Sequence, residues 1–251
     1  MADYKTIIDN WRLKGYSDGE DTSDILYEFS RVFSYNSSKL DNPEVTEKFV
    51  REIFDTDRIT GFTGCTSTVF DMQDQKSAFR WLTDRVQRKT KLSGKFIRFL
   101  QGIICNGSYS NELYDAGERP GQFKRGNYAG ADNAGLPFDE VESEISFLCN
   151  QVNEALEDIS KPDNIIKTAA YFYCNFEYIH AFADGNGRTG RAMLDYILML
   201  GGCPPIVIFD ELKDEYYQAM QAFDKDENID PLVQYIKICI EKTWDGTELC
   251  D

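Results

Sequence analysis

Apolar residues at 165, 169, 172, 176 and 179 step by four and three along one helix face. Ile166, Ala170 and Tyr173 widen that face until little of the helix is left for water. A second such helix carries Met193, Leu194, Ile197 and Leu198 and stops at Gly201-Gly202. Twelve residues, HAFADGNGRTGR at 180–191, lie between the two apolar series. Two interior helices must therefore be joined through a short, polar, glycine-rich loop, and the rest of the chain has to pack around that pair.

Helical periodicity dominates elsewhere. Leu26, Phe29 and Phe33 share a stripe over 23–36, with Thr22 or Ser23 as cap, and 75–88 and 95–105 read as amphipathic helices. Asp139 and Glu142 suggest an acidic capping box, opening a long helix through Val141, Ile145, Leu148, Val152, Leu156 and Ile159. Two more helices are expected at about 211–223 and 231–243, the latter opened by Asp230-Pro231. Between them and the N-terminal helices, ERPGQFKRGNYAGADNAGLP at 118–137 holds four glycines and two prolines, which excludes a helix and suggests a brief hairpin. The expected architecture is mainly α, with one short β-hairpin.

Composition narrows the partners. The 251 residues carry 43 acidic against 27 basic side chains, a formal charge of −16, and no basic run able to displace counterions from nucleic acid or an anionic membrane. No stretch approaches the ~18 apolar residues of a membrane span, and MADYKTIIDNWRLKG lacks the pattern of a secretory leader. Seven scattered cysteines (65, 105, 149, 174, 203, 239, 250) with no CxxC pair point to a reducing cytoplasm, and a single histidine argues against zinc.

The loop gathers scarce residues. Gly185-Asn186-Gly187 lets the backbone turn tightly and offers bare amides, and the helix that begins near Gly187 favours an anion at its N-terminus. Arg188 and Arg191 stand three apart on the first turn, suited to successive phosphates. Asp184 would repel phosphate unless a cation lies between, which makes it a candidate Mg²⁺ ligand. His180, the only histidine, has an ordinary pKa suited to proton removal near neutrality. Each element alone has an ordinary structural reading; together they describe a site for a polyphosphate nucleotide beside a base.

This stretch resembles the Fic family signature, His-x-Phe-x-(Asp/Glu)-Gly-Asn-Gly-Arg-x-x-Arg, at every specified position. The similarity runs from about residue 25 to 242, and there is no GxxxxGK[ST] P-loop. The resemblance implies a helical bundle with a β-hairpin flap, and AMP transfer from ATP, with Mg²⁺, to a Ser, Thr or Tyr hydroxyl of a target protein, pyrophosphate leaving. By the same resemblance His180 deprotonates the hydroxyl and Asp184 holds the metal. The amides around Gly185, Asn186 and Gly187 meet the α-phosphate, Arg188 the β-phosphate and Arg191 the γ-phosphate. Phe182 anchors the loop in the core. The flap, Gln122, Phe123, Lys124, Arg125, Gly126, Asn127, Tyr128, Ala129 and Gly130, would hold a target segment by main-chain pairing.

Many members of that family carry an inhibitory helix, (Ser/Thr)-x-x-x-Glu-(Gly/Asn), whose glutamate pairs with the second arginine. SSKLDN supplies Ser37, Asp41 and Asn42 on the N-terminal side of the core. Aspartate replaces glutamate, shortening the reach by one carbon, roughly 1.5 Å, so a looser or water-bridged hold on Arg191 is expected. An ordinary helix end with Asp41-Asn42-Pro43 as stop signal is the alternative reading.

The expected organisation is an N-terminal helical region at 1–50 with the inhibitory helix at about 23–42, a catalytic core at 51–243 and an acidic tail at 244–251. Rival functions are another nucleotide donor, removal of AMP, or a non-catalytic nucleotide-binding or toxin–antitoxin module. Gly187 argues against the phosphate-transferring branch, which has lysine there. Self-modification is compatible with the reading, and the oligomeric state is left open.

Overall fold

Trp11, Phe29, Phe33, Phe79 and Trp244, drawn from both ends of the chain, meet in one aromatic cluster with ring centroids 5.3–5.9 Å apart. The computed structural model describes residues 2–16, 23–56, 59, 62–127, 135–247 and 250. Among these the chain forms helices only: α1 (Tyr4–Leu13), α2 (Ser23–Lys39), α3 (Glu47–Thr56), α4 (Thr66–Gln87), α5 (Gly94–Ile104), α6 (Asn111–Asp115), α7 (Val141–Ala155), α8 (Pro162–Ile179), α9 (Asn186–Leu200), α10 (Lys213–Asp226) and α11 (Asp230–Trp244). No helix among the described residues is long and apolar enough to cross a membrane.

The mainly α expectation holds, and α8 and α9 are the central pair. Their apolar stripes are buried over nearly their whole length, from Ile165 to Ile179 and from Ala192 to Met199. A Cβ at Gly190 would stand 2.6 Å from Glu177 and 2.9 Å from the Tyr173 ring, so the two axes approach only because that side chain is missing. Around the pair α5, α7 and α11 pack on one core, which α1 and α2 also enter through Ile7, Ile8, Trp11, Phe29 and Phe33. Arg12 of α1 donates to the carbonyls of Gly201 and Gly202 at 3.0 Å, tying the N-terminal helix to the end of α9. A smaller cluster, Val45, Phe49, Val50, Ile53, Phe54 and Met72, fastens α3 onto α4.

Several local expectations need correction. No residue of Gln122–Asn127 is in a strand; Tyr128, Ala129 and Gly130 of the expected flap lie outside the described residues. Lys124 N donates to the loop beside His180, while Gln122 N and Arg125 N bond to Arg119 O and the Glu118 carboxylate, so none of the three joins a ladder. The Asp139–Glu142 capping box does not form: Glu140 is the N-cap without a side-chain bond, because a backbone turn from Glu140 N to Pro137 O (3.0 Å) leads straight into α7. That helix ends at Ala155, and Ile159 is 45% exposed, since Asp158 accepts from Ser160 N (3.0 Å) in a turn that resets the chain for Pro162.

Boundaries also shift. Helix α4 begins nine residues earlier than its apolar pattern suggests, and α10 is preceded by a 3-10 turn at Asp210–Leu212. The helix expected over 23–42 stops at Lys39, so Asp41 and Asn42 lie in the following turn, their amides donating to Ser38 O at 3.1 and 2.8 Å. Thr22 lies outside the described residues. Trp244 belongs to the core rather than to the tail: it is 3% exposed and its indole donates to Pro205 O at 2.9 Å.

Candidate active site

Helix α8 ends at His180, which takes the left-handed conformation (φ 50, ψ 61) while its amide still donates to Phe176 O at 3.1 Å. A non-glycine residue in that region costs on the order of 1 kcal/mol, and here it swings the chain out of α8 into the loop. Phe182 then plunges back into the core, 1% exposed, with Phe123 and Phe176 ring centroids 5.4 and 6.3 Å away. Asn186 staples the loop shut, its side chain accepting from Phe182 N (2.9 Å) and donating to Phe182 O (2.7 Å). Gly185 (φ +79) lies against Cys105 Sγ, where a Cβ would come within 2.4 Å, so the turn takes only glycine.

The loop opens onto a polar cavity of about 510 Å³. Helix α9 starts at Asn186, and its first turn presents backbone amides towards this space. Asp184, a partly exposed carboxylate, accepts from Gly185 N at 2.6 Å and faces Arg188 at 3.4 Å. Gln101 of α5 braces the same turn by donating to Asp184 O at 3.0 Å.

Both arginines are held. Arg188 contacts Asp71 of α4 directly and reaches Ser108 Oγ at 3.3 Å. Arg191, only 3% exposed, donates through Nε to Ser37 Oγ (2.8 Å) and through Nη2 to Ser37 O (2.9 Å) and Asp41 (2.7 Å). The looser, water-bridged hold expected for the shorter carboxylate is therefore not what forms. Asp41 sits past the helix end, where the turn carries it to the guanidinium. Burial works against both charges, yet Asp71 and Asp41 more than offset it and hold the two groups above their ordinary pKa.

Burial, and then the nearby charge of Lys124, lower the His180 pKa below its ordinary 6.5, with Asp184 opposing. The imidazole is thereby neutral at neutral pH. The ends of the 124–136 segment flank it: Lys124 N donates to Ala181 O at 2.9 Å and Leu136 N to Ile179 O at 3.1 Å. Gly135 (φ +61) passes so close that a Cβ there would meet His180 Cβ at 2.4 Å.

The structure thus brings together His180, Asp184, Gly185, Asn186, Gly187, Arg188, Arg191, Asp41 and Asn42 around one cavity, with Phe182 beneath it and Ser37 on Arg191. Of the flap, Phe123 packs on Phe182 and Lys124 lies by His180, while Arg125 N donates to Glu118 at 2.8 Å and Asn127 accepts from Phe138 N at 3.0 Å. Asp71, Gln101, Ser38 and Glu177 went unnoticed in the sequence. Glu177 lines the cavity, has an unpartnered Oε1, and is pushed up to about 7 by burial, with Arg191 opposing.

A lone carboxylate suits Mg²⁺, which retains water and takes one or two carboxylates plus phosphate oxygens. Asp184 meets that requirement by its partial exposure and its place at the cavity edge. Among the described residues no cluster of three His, Cys, Asp or Glu side chains is poised to enclose a metal without a substrate.

The Fic/DOC family model matches residues 91–198. Over 80 residues the chain is 38% identical to the protein adenylyltransferase Fic of Aedes aegypti, covering 32% of this chain and 16% of that protein. The Nematostella vectensis protein of the same name is 32% identical over 115 residues, 40% of this chain and 27% of that one. The chain spans less than a third of the length of these curated relatives. A Fic domain-containing signalling protein from Bacteroides thetaiotaomicron superposes with a TM-score of 0.80 at 22% identity, covering 96% of this chain and 94% of that one. Fic-1 from C. elegans gives 0.72 at 17% identity, with 96% and 68% covered. At these identities the structural likeness establishes the fold. Motif, matched segment and fold coincide on α5 to α9, and residues 91–198 carry a Fic/DOC domain.

Proposed function

We propose that this protein transfers AMP from ATP to a Ser, Thr or Tyr hydroxyl of a target protein. The observation that carries the reading is the single cavity shared by a neutral imidazole, a helix N-terminus and two cationic guanidiniums. The name shared by the curated relatives, protein adenylyltransferase, supports it.

His180 accepts the proton of the incoming hydroxyl, whose oxygen attacks the α-phosphorus as the bond to pyrophosphate breaks. The amides opening α9 face the charge that develops on the α-phosphate, and Arg188 and Arg191 take the β- and γ-phosphates. The protein's contribution is positioning and charge neutralisation of an in-line displacement. Mg²⁺, held by Asp184 with phosphate oxygens, supplies further neutralisation when bound. The flap, Gln122 to Gly130, guides the target segment to His180. Seven unpaired thiols suit a reducing, cytoplasmic setting.

Ser37, Asp41 and Asn42 act as an intramolecular brake. With Asp41 on Arg191, the guanidinium needed by the γ-phosphate is already occupied. Intact-mass measurement of the protein and candidate targets after incubation with Mg²⁺ and each nucleoside triphosphate tests the assignment. A gain of one AMP, from ATP only, is expected. A different adduct would move the protein to another donor, and no adduct from either wild type or a brake-released variant would leave it a binding module.

A further inference from the structure

The brake just described engages one arginine, yet the same segment reaches the other by a separate route. Ser37 takes Arg191, and the next residue, Ser38, donates to Asp71 Oδ2 at 2.8 Å. Asp71, on α4, is the carboxylate in direct contact with Arg188. Gln75, one turn further along α4, donates to the same Asp71 oxygen at 3.1 Å and contacts the Ser38 hydroxyl. Asn42 completes the link to α4 by donating to Thr68 Oγ1 at 3.0 Å.

We infer that Asp71 is a second restraint on the nucleotide cradle, occupying Arg188 against the β-phosphate as Asp41 occupies Arg191 against the γ-phosphate. This rests on the phosphate roles proposed above for the two arginines. Arg188 lies between two carboxylates, Asp71 in contact and Asp184 at 3.4 Å. With Mg²⁺ taken by Asp184, Asp71 alone still neutralises the single positive charge of Arg188, so a phosphate entering there gains no net attraction until Asp71 lets go. Asp71 is itself fixed by two donors, so it does not follow Arg188 inward. Both side chains of the pair are about seven-eighths buried, where charge repulsion is poorly screened. Two neighbouring serines therefore couple the restraints, and movement of the end of α2 releases them together.

Nucleotide binding by calorimetry separates the two grips without any transfer step. The affinity gain from AMP to ADP reads the β-phosphate, and that from ADP to ATP reads the γ-phosphate, each measured with Mg²⁺. Asp71→Asn keeps the shape and an acceptor for Ser38 but removes the charge; it is expected to enlarge the AMP-to-ADP gain by about tenfold. Asp41→Ala is expected to enlarge the ADP-to-ATP gain only. Ser38→Ala, which frees Asp71 from one tether without touching its charge, is expected to move the β-phosphate gain in the same direction by less, and serves if Asp71→Asn folds poorly. A β-phosphate gain unchanged or reduced in both variants overturns the inference and makes Asp71 a residue that merely orients Arg188. If no variant binds any nucleotide, the nucleotide site itself is wrong and both proposals fall; binding with a flat β-phosphate step removes only this one.

Discussion

Asp41 and Arg191, 150 residues apart in the chain, form an ion pair of 2.7 Å in which the guanidinium is buried and the carboxylate is 56% exposed. The asymmetry matters. Solvent can receive Asp41 when the pair opens, whereas Arg191 keeps Ser37 Oγ and Ser37 O as partners and is not left bare. The restraint is one that opens from the outside.

In the proposed reaction, removing that carboxylate frees Arg191 for a γ-phosphate. Asp41→Ala is expected to raise incorporation of labelled AMP by about tenfold over wild type, on the scale of one charged hydrogen bond. Equal incorporation by the two proteins would remove the brake.

The proposed base and the proposed phosphate receptor come from different sides of the loop and should separate by mutation. His180→Ala is expected to lower transfer by about 10²–10⁴-fold while ATP affinity changes by less than about threefold, since the proposed phosphate contacts are made by α9. Calorimetry beside single-turnover transfer checks both halves; retained transfer reassigns the base.

The pH profile follows from the imidazole's surroundings. A base works when neutral, so activity rises with pH through the His180 pKa. Because burial and Lys124 lower that pKa, the acid limb should lie below 6.5. Lys124→Met withdraws one of the lowering influences, so the limb should move to higher pH. A limb that stays put would show that Lys124 does not act on His180.

These expectations rest on residues of unequal legibility. The interior helices announced themselves, because an apolar stripe at three- and four-residue spacing is a local signal that survives without knowledge of partners. The loop did so because glycine, arginine and a sole histidine were confined to twelve positions. Asp71 was hidden by its setting: Thr68, Asp71 and Gln75 continue the buried stripe of Phe79, Leu82 and Val86, and a stripe that turns polar reads as a helix that has ended. That change of polarity marks where α4 leaves the core and meets the cavity. Helix α1 carries little local signal beyond its cap, Asp3 accepting from Thr6 N at 2.8 Å, since its ten residues gain their stability from contacts with α11 and the end of α9.

Glu177 makes a prediction about stability. Its pKa in the fold is pushed up to about 7 from an ordinary 4.5, so the unfolded chain ionises it more readily than the folded one. The folded state is therefore unpenalised below about pH 4.5 and loses stability as pH rises from there through 7. Glu177→Gln should remove that loss, raising the denaturant midpoint at pH 8 by the equivalent of roughly 1–3 kcal/mol, with little difference near pH 4. Equal midpoints at both values would mean that the carboxyl finds a charge partner in the fold.

Lys124 and Leu136 are lashed to the two neighbours of His180, so the segment between them begins and ends at fixed points on either side of the imidazole. Both anchors are main-chain amides, so side-chain changes at Lys124 and Leu136 leave the approach to the imidazole framed as it is.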